Sequence, residues 1–541
     1  MSAADPIYLD YAATSPVDPL VIEAMNECFG AHGEFANPGS ATHLPGRRAR
    51  ARVEQARAQV AELIGADPSE IIFTSGATES NNLALLGVAR AHADRGRHIV
   101  SSRIEHRAVL DPCRRLEREG FTVRYLEPDS AGRIRLDELA AALRPDTALV
   151  SLMHVNNEIG VLADIAAFAA LCQARGIPLH ADAAQSVGKI PVDVCVLNID
   201  FLSFTAHKIY GPKGIGALYV RSGSRPRLAP VSFGGGQERG LRPGTLATHQ
   251  IVGFGLACEL ARKRSGEAQR LALLRDRLWM RLSRLGGVHL NGEAAERVPN
   301  ILSVSFEGVE GESLISALPE LAVSTGSACS SATGEPSYVL RALGRSSSLA
   351  QSTLRFSFGR QTTEQDIDHA AEAVEREVSR LRAASPATYS EKIAPDSANS
   401  PHNRPPIELD GLSPEVRHLF STLPGAGVIE DSAGEVIRGE AGGLVQEAWV
   451  RFHLLIAHGT VKDARFQAYG CPHTLAVSAW LTGQLPGRRL SEVLVDEPAH
   501  WARVLSVPIE KLGRLLVVED ALRACTMTQR SISEDDVDFA H

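Results

Sequence analysis

Short apolar runs alternate with amphipathic stretches along the first two-thirds of the chain. Val53, Ala56 and Val60 recur at the spacing of one helix face, which predicts a helix there. The compact apolar runs predict buried strands at 71–74, 98–102, 148–152, 178–182 and 201–204. Apolar strands that alternate with helices indicate a mostly parallel sheet covered on both faces, and therefore an α/β fold.

The pattern changes near residue 298 and again near residue 384. Strand-like segments at 301–306 and 354–358 bracket a Gly/Ser-rich loop, and a polar helix near 364–381 completes a smaller α+β unit. Residues 384–411 are rich in Ala, Ser, Pro and Asn without periodicity, which is typical of a linker. The predicted organisation follows from these changes: a first domain at 1–383 (large part about 15–260, small subdomain from the N-terminal segment and about 261–383), the linker at 384–411, and a second α+β domain at 412–541.

Composition narrows the class of protein. The 541 residues exceed one ordinary domain, and 44% hydrophobic with 22% charged residues is the balance of a globular protein. A net charge of -8 disfavours a surface that binds nucleic acid directly. No apolar run approaches a membrane span, the first residues lack the features of a secretory signal, and the eight cysteines are scattered without a C-x-x-C pair. We expect a cytoplasmic protein with reduced thiols, no membrane contact and no bound metal.

Three strand ends carry candidate chemistry. Lys208 follows the strand at 201–204 and precedes a glycine-containing turn, which suits a Schiff base to an aldehyde cofactor, although a lone lysine is more often a surface residue. Asp182 ends another strand and could pair with a protonated ring nitrogen or cap a helix. Residues 74–80 are small and hydroxylic before a helix predicted to begin near Asn81, as in phosphate sites. Together they predict one ligand site at the sheet edge.

Residues 8–383 resemble the NifS/IscS family of cysteine desulfurases, which are fold-type I enzymes that depend on pyridoxal phosphate. The resemblance is collinear over about seven-tenths of the chain. The matching segments are 9–14 (LDYAAT), 37–40 (NPGS), 105–106 (EH), 154–160 (HVNNEIG), 235–245 (GGQERGLRPGT) and those around Asp182, Lys208 and Arg355. It implies the fold of a fold-type I transferase, L-cysteine as the substrate, pyridoxal 5'-phosphate as the cofactor and a homodimer.

The resemblance also implies a role for each matching residue. Lys208 would bind the cofactor as a Schiff base and move protons, and His106 would stack on its ring and act in acid–base steps. Asp182 would hold the ring nitrogen and Gln185 the phenolic oxygen. The implied phosphate ligands are Gly76, Ala77, Thr78, Ser203 or Thr205, and His207, with Thr245 serving the site of the partner subunit. The implied ligands of the substrate carboxylate are Asn157, which also contacts the cofactor, and Arg355, with Asn37 nearby.

Cys329 is the predicted nucleophile. It lies in a small, polar, glycine-containing stretch at 324–336 that shows no apolar periodicity, which predicts a mobile loop. The stretch matches the long-loop class of the family, whose members deliver persulfide sulfur to several acceptors. As a thiolate, Cys329 would attack the sulfur of bound cysteine, leaving a persulfide and alanine. An accidental loop cysteine is the less favoured alternative. The other first-domain cysteines are predicted to be buried, inert thiols: Cys28, Cys113, Cys172, Cys195 and Cys258.

Most of 412–528 resembles the U-type scaffold on which iron–sulfur clusters are built, mainly through the segment that ends in Cys471. The scaffold pattern requires three cysteines. Here Gly442-Gly443 stands where the first is expected, Gly513-Arg514 replaces the later His-Cys pair, and Cys525 falls off the motif. Because iron–sulfur clusters generally need four ligands, we expect no independent cluster assembly. Cys471 remains a candidate sulfur acceptor.

Several alternatives stay open from the sequence. The first domain could be a non-catalytic sulfur-relay or docking protein, or act as a selenocysteine lyase, whereas an ordinary aminotransferase would not need the Cys329 loop. The physiological acceptor could be a separate iron–sulfur scaffold, a tRNA thiolation relay or another carrier. The C-terminal domain could accept sulfur on Cys471 or only dock and regulate, and the loss of two scaffold cysteines favours the second role slightly.

Overall fold

A seven-stranded sheet forms the centre of the large domain. The structure is a computed structural model that describes residues 5–222, 228–264, 266–325, 336–385, 412–430, 434–443, 447–494 and 496–534. In spatial order the strands are Ile71–Thr74, Gly216–Val220, Phe201–Thr205, Leu179–Asp182, Thr147–Met153, His98–Ser102 and Thr122–Leu126. Gly216–Val220 is antiparallel to both of its neighbours, and the remaining pairs are parallel. The predicted mostly parallel α/β sheet is thus confirmed.

Both faces of this sheet are covered by apolar side chains and helices. Ile71 and Phe73 pack into one apolar cluster, whereas Ile72, between them, packs into a second cluster on the opposite face. This division follows from the two-residue period of a strand and explains why the strands are continuously apolar. The covering helices are Pro19–Asn26, Leu44–Leu63, Ala77–Ala91, Arg107–Arg118, Leu136–Ala142, Ile165–Ala174, Val194–Leu197 and Thr248–Lys263.

The helix that follows the strand Ile71–Thr74 begins at Ala77. The sequence predicts its start four residues later, near Asn81. Its N-cap is Gly76, which adopts a φ of 155° and makes no side-chain capping hydrogen bond. The hydroxyl-rich residues after Gly76 suggested a loop, but a glycine can turn the chain directly into the helix. The first helical turn therefore lies at the end of the strand.

The small subdomain contains a four-stranded sheet. Its strands, in spatial order, are Ser324–Thr325, Thr353–Ser357, Ile301–Phe306 and Val288–Leu290, with antiparallel neighbours. Its helices are Glu267–Leu282, Gly311–Ser316, Tyr338–Ala342, Ser347–Gln351 and Glu364–Ala384. The N-terminal strand Ile7–Tyr8 pairs in parallel with Leu321–Ala322, so the chain's beginning joins this subdomain.

The C-terminal domain is also α+β. A three-stranded antiparallel sheet is formed by Glu435–Gly443, Ala448–Ala457 and Thr460–Tyr469. The accompanying helices are Pro414–Thr422, Pro472–Gln484, Pro498–Leu505 and Leu512–Glu534. Cys525 is fully buried and packs against Gly439, where an added Cβ would lie 2.6 Å from the Cys525 sulfur.

One prediction about the cysteines is wrong. Cys195 is exposed, because it lies on the one-turn surface helix Val194–Leu197 rather than in the core. The other four cysteines with this prediction, Cys28, Cys113, Cys172 and Cys258, are buried. Among the described residues, no helix combines the length and the apolar character needed to cross a membrane.

A buried histidine generates a prediction about acid stability. His180 bridges two neighbouring strands through hydrogen bonds of 2.8 Å to Ser151 Oγ and 2.9 Å to Ser203 Oγ. Burial lowers the pKa of His180 from 6.5 to about 4. The neutral ring therefore stabilises the fold above pH 6.5, and that contribution is lost as the pH falls toward 4.

His180→Gln is expected to be less stable at pH 7 but less sensitive to acid. Between pH 6 and 4.5 its free energy of unfolding should fall less steeply than that of wild type, by up to about 1.4 kcal/mol per pH unit for one proton. Urea unfolding at several pH values measures the slopes. The surface exchange His369→Gln is the control, and equal slopes for His180→Gln and wild type would contradict the assignment.

Candidate active site

A cavity of about 500 Å³ opens where the parallel strands end. Most residues that the sequence assigned to a cofactor and substrate site line it. They are Gly76, Ala77, Thr78, His106, Asn157, Asp182, Gln185, Thr205, His207, Lys208 and Arg355. Because the carboxyl ends of parallel strands meet at one edge, residues far apart in the chain converge here.

Asp182 is the last residue of the strand Leu179–Asp182, and its carboxylate is nearly buried. Its Oδ2 accepts a hydrogen bond of 2.7 Å from Asn81 Nδ2, and its Oδ1 accepts one of 2.9 Å from the Ala184 backbone N–H. Asn81 is itself fully buried, on the inner face of a helix. These two donors hold the carboxylate at the wall of the cavity, an arrangement that fits a protonated ring nitrogen. Sequence reasoning missed Asn81, although an amide on an otherwise apolar helix face was a usable signal.

The start of the helix Ala77–Ala91 forms an anion site beside Asp182. An added Cβ on Gly76 would meet only Thr205 Oγ1, at 3.9 Å, so open space lies in front of this glycine. No side chain caps the first helical turn, whose backbone N–H groups lack helical partners. A helix N-terminus that faces open space fits the phosphate of pyridoxal phosphate.

Two histidines in the cavity are neutral at pH 7. His106 is the N-cap of the helix Arg107–Arg118, and its Nδ1 accepts a hydrogen bond of 3.1 Å from the Ala108 N–H. Burial lowers the pKa of His106, so the neutral ring carries its proton on Nε2 and can donate from that atom. Burial, followed by the charge of Lys208, lowers the pKa of His207 to about 4.

Lys208 lies in the short turn Ala206–Lys208 that directly follows the strand Phe201–Thr205. Gln185 lines the same cavity, and its Nε2 donates a hydrogen bond of 2.8 Å to the Ala12 carbonyl. Its Oε1 accepts a hydrogen bond of 2.5 Å from Lys189 Nζ, which sequence reasoning had not singled out. The two contacts fix which end of the Gln185 amide carries the donors.

Arg355 and Asn157 form a site for a carboxylate. Arg355 Nη1 donates to the Asn157 carbonyl at 2.8 Å, and Nη2 donates to Asp10 Oδ1 at 2.7 Å. Among the described residues, Arg355 Nε and Asn157 Oδ1 are buried and have no hydrogen-bond partner. A donor without a partner, on a guanidinium that lines the cavity, fits a substrate carboxylate. Asp10, within the 9–14 motif, was missed as the partner that orients Arg355.

Three of the predicted residues that the structure describes do not line this cavity. Ser203 is fully buried and bonded to His180 Nε2, so Thr205, at the strand end, is the hydroxyl residue that reaches the cavity. Asn37 lines a separate cavity of about 650 Å³, and Thr245 lines neither one. Cys329 lies outside the described residues.

Cys471 lies in the C-terminal domain, between the strand Thr460–Tyr469 and the helix Pro472–Gln484, as its sequence context predicted. Its side chain is fully buried. Within the described ranges no three His, Cys, Asp or Glu residues are grouped so that they could hold a metal ion.

Comparisons with known proteins agree with this geometry. The family model of class-V aminotransferases matches residues 7–369, and the model of the NifU-like N-terminal domain matches residues 413–533. A solved NifS-like protein superposes with a TM-score of 0.65 at 38% identity, over 69% of this chain and 100% of its own. A solved structure of SspA in complex with cysteine superposes with a TM-score of 0.59 at 40% identity, over 65% of this chain and 98% of its own. The chain belongs to the class-V aminotransferase family, with a NifU-like domain at its C-terminal end.

Curated relatives define the group within that family. The cysteine desulfurase IscS of Pectobacterium atrosepticum is 58% identical over 382 residues, 70% of this chain and 95% of the relative. The cysteine desulfurase IscS of Aeromonas hydrophila is 59% identical over the same shares. The chain is therefore a member of the IscS cysteine desulfurase family.

The contact between Asn81 and Asp182 generates a prediction about cofactor binding. Asn81→Leu leaves the buried carboxylate without one of its two donors, so affinity for pyridoxal phosphate should fall roughly tenfold. Titration of the apoprotein, followed by cofactor absorbance, measures the dissociation constant. Asn26→Leu, the same exchange on a surface helix, is the control and should bind like wild type. Unchanged affinity in Asn81→Leu would show that Asp182 needs no such support.

Proposed function

We propose that this chain is a pyridoxal-phosphate-dependent cysteine desulfurase. It takes sulfur from L-cysteine, releases L-alanine and carries the sulfur as a persulfide on Cys329. The observation that carries the proposal is the convergence of Lys208, Asp182, His106 and Arg355 on one cavity. The relatives named cysteine desulfurase IscS and the neighbour solved with cysteine support the same activity.

The cofactor, when bound, withdraws electrons from the substrate carbon atoms. In the proposal Lys208 holds the cofactor covalently, Asp182 keeps its ring nitrogen protonated and His106 covers the ring. Gln185 would donate its second Nε2 hydrogen to the phenolic oxygen. The first turn after Gly76 would hold the phosphate together with the Thr78, Thr205 and His207 side chains. Ser203, the alternative phosphate ligand, is not proposed because it does not line the cavity, whereas Thr205 does.

The substrate carboxylate is assigned to Arg355, with Asn157 beside it. Arg355 is already oriented by Asp10 and by the Asn157 carbonyl, so it loses little side-chain freedom when a carboxylate arrives. Lys208 would move protons to and from the substrate carbon atoms, and His106, whose Nε2 carries a proton, would assist in acid–base steps.

The sulfur step is a nucleophilic displacement. The Cys329 thiolate attacks the substrate sulfur, forming an S–S bond while the carbon–sulfur bond breaks. The electron pair stays with the carbon, which takes up a proton and leaves as alanine. In this proposal the loop that contains Cys329 must reach first the cavity and afterwards an external acceptor. This requirement explains why the stretch 324–336 has no apolar periodicity in its sequence.

The proposed assembly is a homodimer in the cytoplasm. Thr245 is assigned to the phosphate site of the partner subunit, and it does not line the cavity of its own chain. Asn37 is assigned to the region near the substrate carboxylate, although it lines a separate cavity. The proposed acceptors are an iron–sulfur scaffold or another thiolation partner. Neither nucleic acid nor a membrane is proposed as a direct partner.

For the C-terminal domain, a docking or regulatory role is proposed ahead of sulfur transfer to Cys471. The thiol of Cys471 is completely buried, so a donor loop can reach it only after the domain moves. Selenocysteine cleavage in the first domain remains an alternative activity of the same cavity. A non-catalytic relay is less favoured because Lys208, Asp182 and His106 line one cavity.

Cys329→Ser tests the proposed nucleophile. The variant should still bind cysteine in the cavity, but its rate of alanine formation should fall by more than about a hundredfold, since a serine hydroxyl is not ionised at neutral pH. Alanine and sulfide are quantified after incubation with cysteine and a thiol reductant. The matched control is Cys195→Ser, which removes an exposed thiol outside the cavity and should leave the rate unchanged. Normal alanine release from Cys329→Ser would refute the mechanism.

A further inference from the structure

The C-terminal domain contacts the small subdomain through charged and polar groups that the proposed reaction does not use. Lys511 Nζ lies 2.8 Å and 2.9 Å from the two carboxylate oxygens of Glu312. Ser313 Oγ donates a hydrogen bond of 2.7 Å to the carbonyl oxygen of Gly470. We call Glu310, Glu312 and Ser313 of the small subdomain the docking face.

Arg514 adds a second cation to this contact. Its Nη1 lies 3.7 Å from Glu310 Oε1 of the docking face, and its Nη2 lies 3.1 Å from Glu447 Oε2 of its own domain. The side chains of Arg514 and Glu310 are only 13% and 8% exposed. A charge pair shielded from water is screened little by salt, and removal of one partner leaves the other buried without compensation.

Cys471 lies beside these cations. Burial raises the pKa of its thiol, but the Arg514 guanidinium and the neighbouring His473 outweigh burial, and the pKa falls to about 6. The thiol is therefore ionised at neutral pH and adds a negative charge next to Arg514. The guanidinium therefore lies among the Cys471 thiol and the carboxyl groups of Glu310 and Glu447. Burial raises the pKa of Glu310 to about 7.

The position of Arg514 links the lost cluster site to the domain contact. Gly513-Arg514 stands where the scaffold pattern has a His-Cys pair. The exchange removes a thiolate ligand and places a cation against Cys471, and the same cation faces Glu310 across the domain boundary. One substitution therefore accounts for both the absence of a cluster ligand and an added attachment to the desulfurase domain.

Apolar packing continues across the same boundary. Val416 and Phe420 of the C-terminal domain share one apolar cluster with Val374 and Val378 of the small subdomain. Arg380, on the same helix as the two valines, donates a hydrogen bond of 2.7 Å to the Phe420 carbonyl, and its guanidinium lies 5.0 Å from the Phe420 ring centroid. The contact therefore combines apolar burial with specific charge pairs.

The covalent tether gives this contact an advantage over any separate protein. The linker predicted at 384–411 has 28 residues, of which Ala384 still belongs to the preceding helix. A tether of this length gives an effective concentration of about 1 mM. A separate scaffold at about 1 μM would need about a thousandfold higher intrinsic affinity to displace the attached domain from half of the molecules.

Building on the proposed desulfurase function, we propose that the C-terminal domain is a resident occupant of the docking face. It excludes a separate NifU-like scaffold protein from that face, and Lys511 and Arg514 are the cations that hold it there. The occupant belongs to the same family as the excluded partner, so the two compete for one surface. In this chain, delivery of sulfur to a separate scaffold requires release of the resident domain.

A charge exchange in the full-length protein tests the attachment. Lys511→Glu and Glu312→Lys each place like charges together, and both should increase the alkylation rate of Cys471 by about tenfold or more as the domain opens. The double exchange restores opposite charges and should return the rate toward wild type. Peptide mass spectrometry measures alkylation, with the exposed thiol of Cys195 as the internal reference. Unchanged alkylation in both single variants, or no recovery in the double variant, would overturn the assigned attachment.

Binding of a separate scaffold tests the exclusion. The probe is a purified, metal-free NifU-like scaffold protein that retains its three cysteines, titrated against the full-length holoenzyme without cysteine. Lys511→Glu and Arg514→Gln leave the docking face intact, and each should bind the probe at least about tenfold more tightly than wild type. Arg503→Glu, an exposed change on the same domain, should bind like wild type. Equal affinity in wild type, Lys511→Glu and Arg514→Gln would refute the proposal.

Alanine formation from cysteine is measured on the same samples. It should be similar in wild type and in all five variants, since none of the changed residues lines the cavity. Absence of alanine from every protein, wild type included, would refute the desulfurase function, whereas altered alkylation without any gain in scaffold binding would refute only the resident-occupant proposal.

Discussion

The buried carboxylate of Asp182 is the constraint on which the candidate active site depends. A carboxylate removed from water is stable only when hydrogen-bond donors and a cation compensate its charge. Asn81 and the Ala184 N–H supply the donors, and each comes from the segment that follows a different strand of the sheet. The position of Asp182 therefore fixes the helix Ala77–Ala91, whose N-terminus provides the anion site, and leaves one carboxylate edge for a cationic ring nitrogen.

The sequence predicted the parts of this site that follow from strand ends. Lys208, Asp182 and the residues after Gly76 each follow an apolar strand, and a parallel sheet brings such positions together. Depth along a strand was harder to predict. Ser203 and Thr205 share one face, but Ser203 lies two residues, about 7 Å, deeper and bonds within the sheet. Asn81 was missed because it contacts Asp182, which lies 101 residues further along the chain. Lys189 was missed because its contact with Gln185, four residues away, is evident only from the structure.

The errors have local physical causes. Hydroxyl-rich residues after Gly76 suggested a loop, but this glycine adopts a backbone conformation that brings the chain directly into a helix. The apolar neighbours of Cys195 suggested burial, yet Val194–Leu197 is a single turn on the surface. In the C-terminal domain the resemblance to a scaffold predicts that cluster ligands are missing at Gly442-Gly443 and Gly513-Arg514. Only the structure shows that the Arg514 cation lies between Cys471 and a carboxylate of the small subdomain.

The central claim is that one lysine at the end of a strand binds the cofactor within this cavity. The most direct measurement is reduction of the cofactor-loaded protein with borohydride, followed by proteolysis and mass spectrometry of the peptide that retains the cofactor. Lys189 and Lys213 are the informative alternatives, because both lie near the Lys208 side of the cavity. The account predicts a stable cofactor adduct on Lys208 alone. An adduct on Lys189 or Lys213, or none on any lysine, would contradict it.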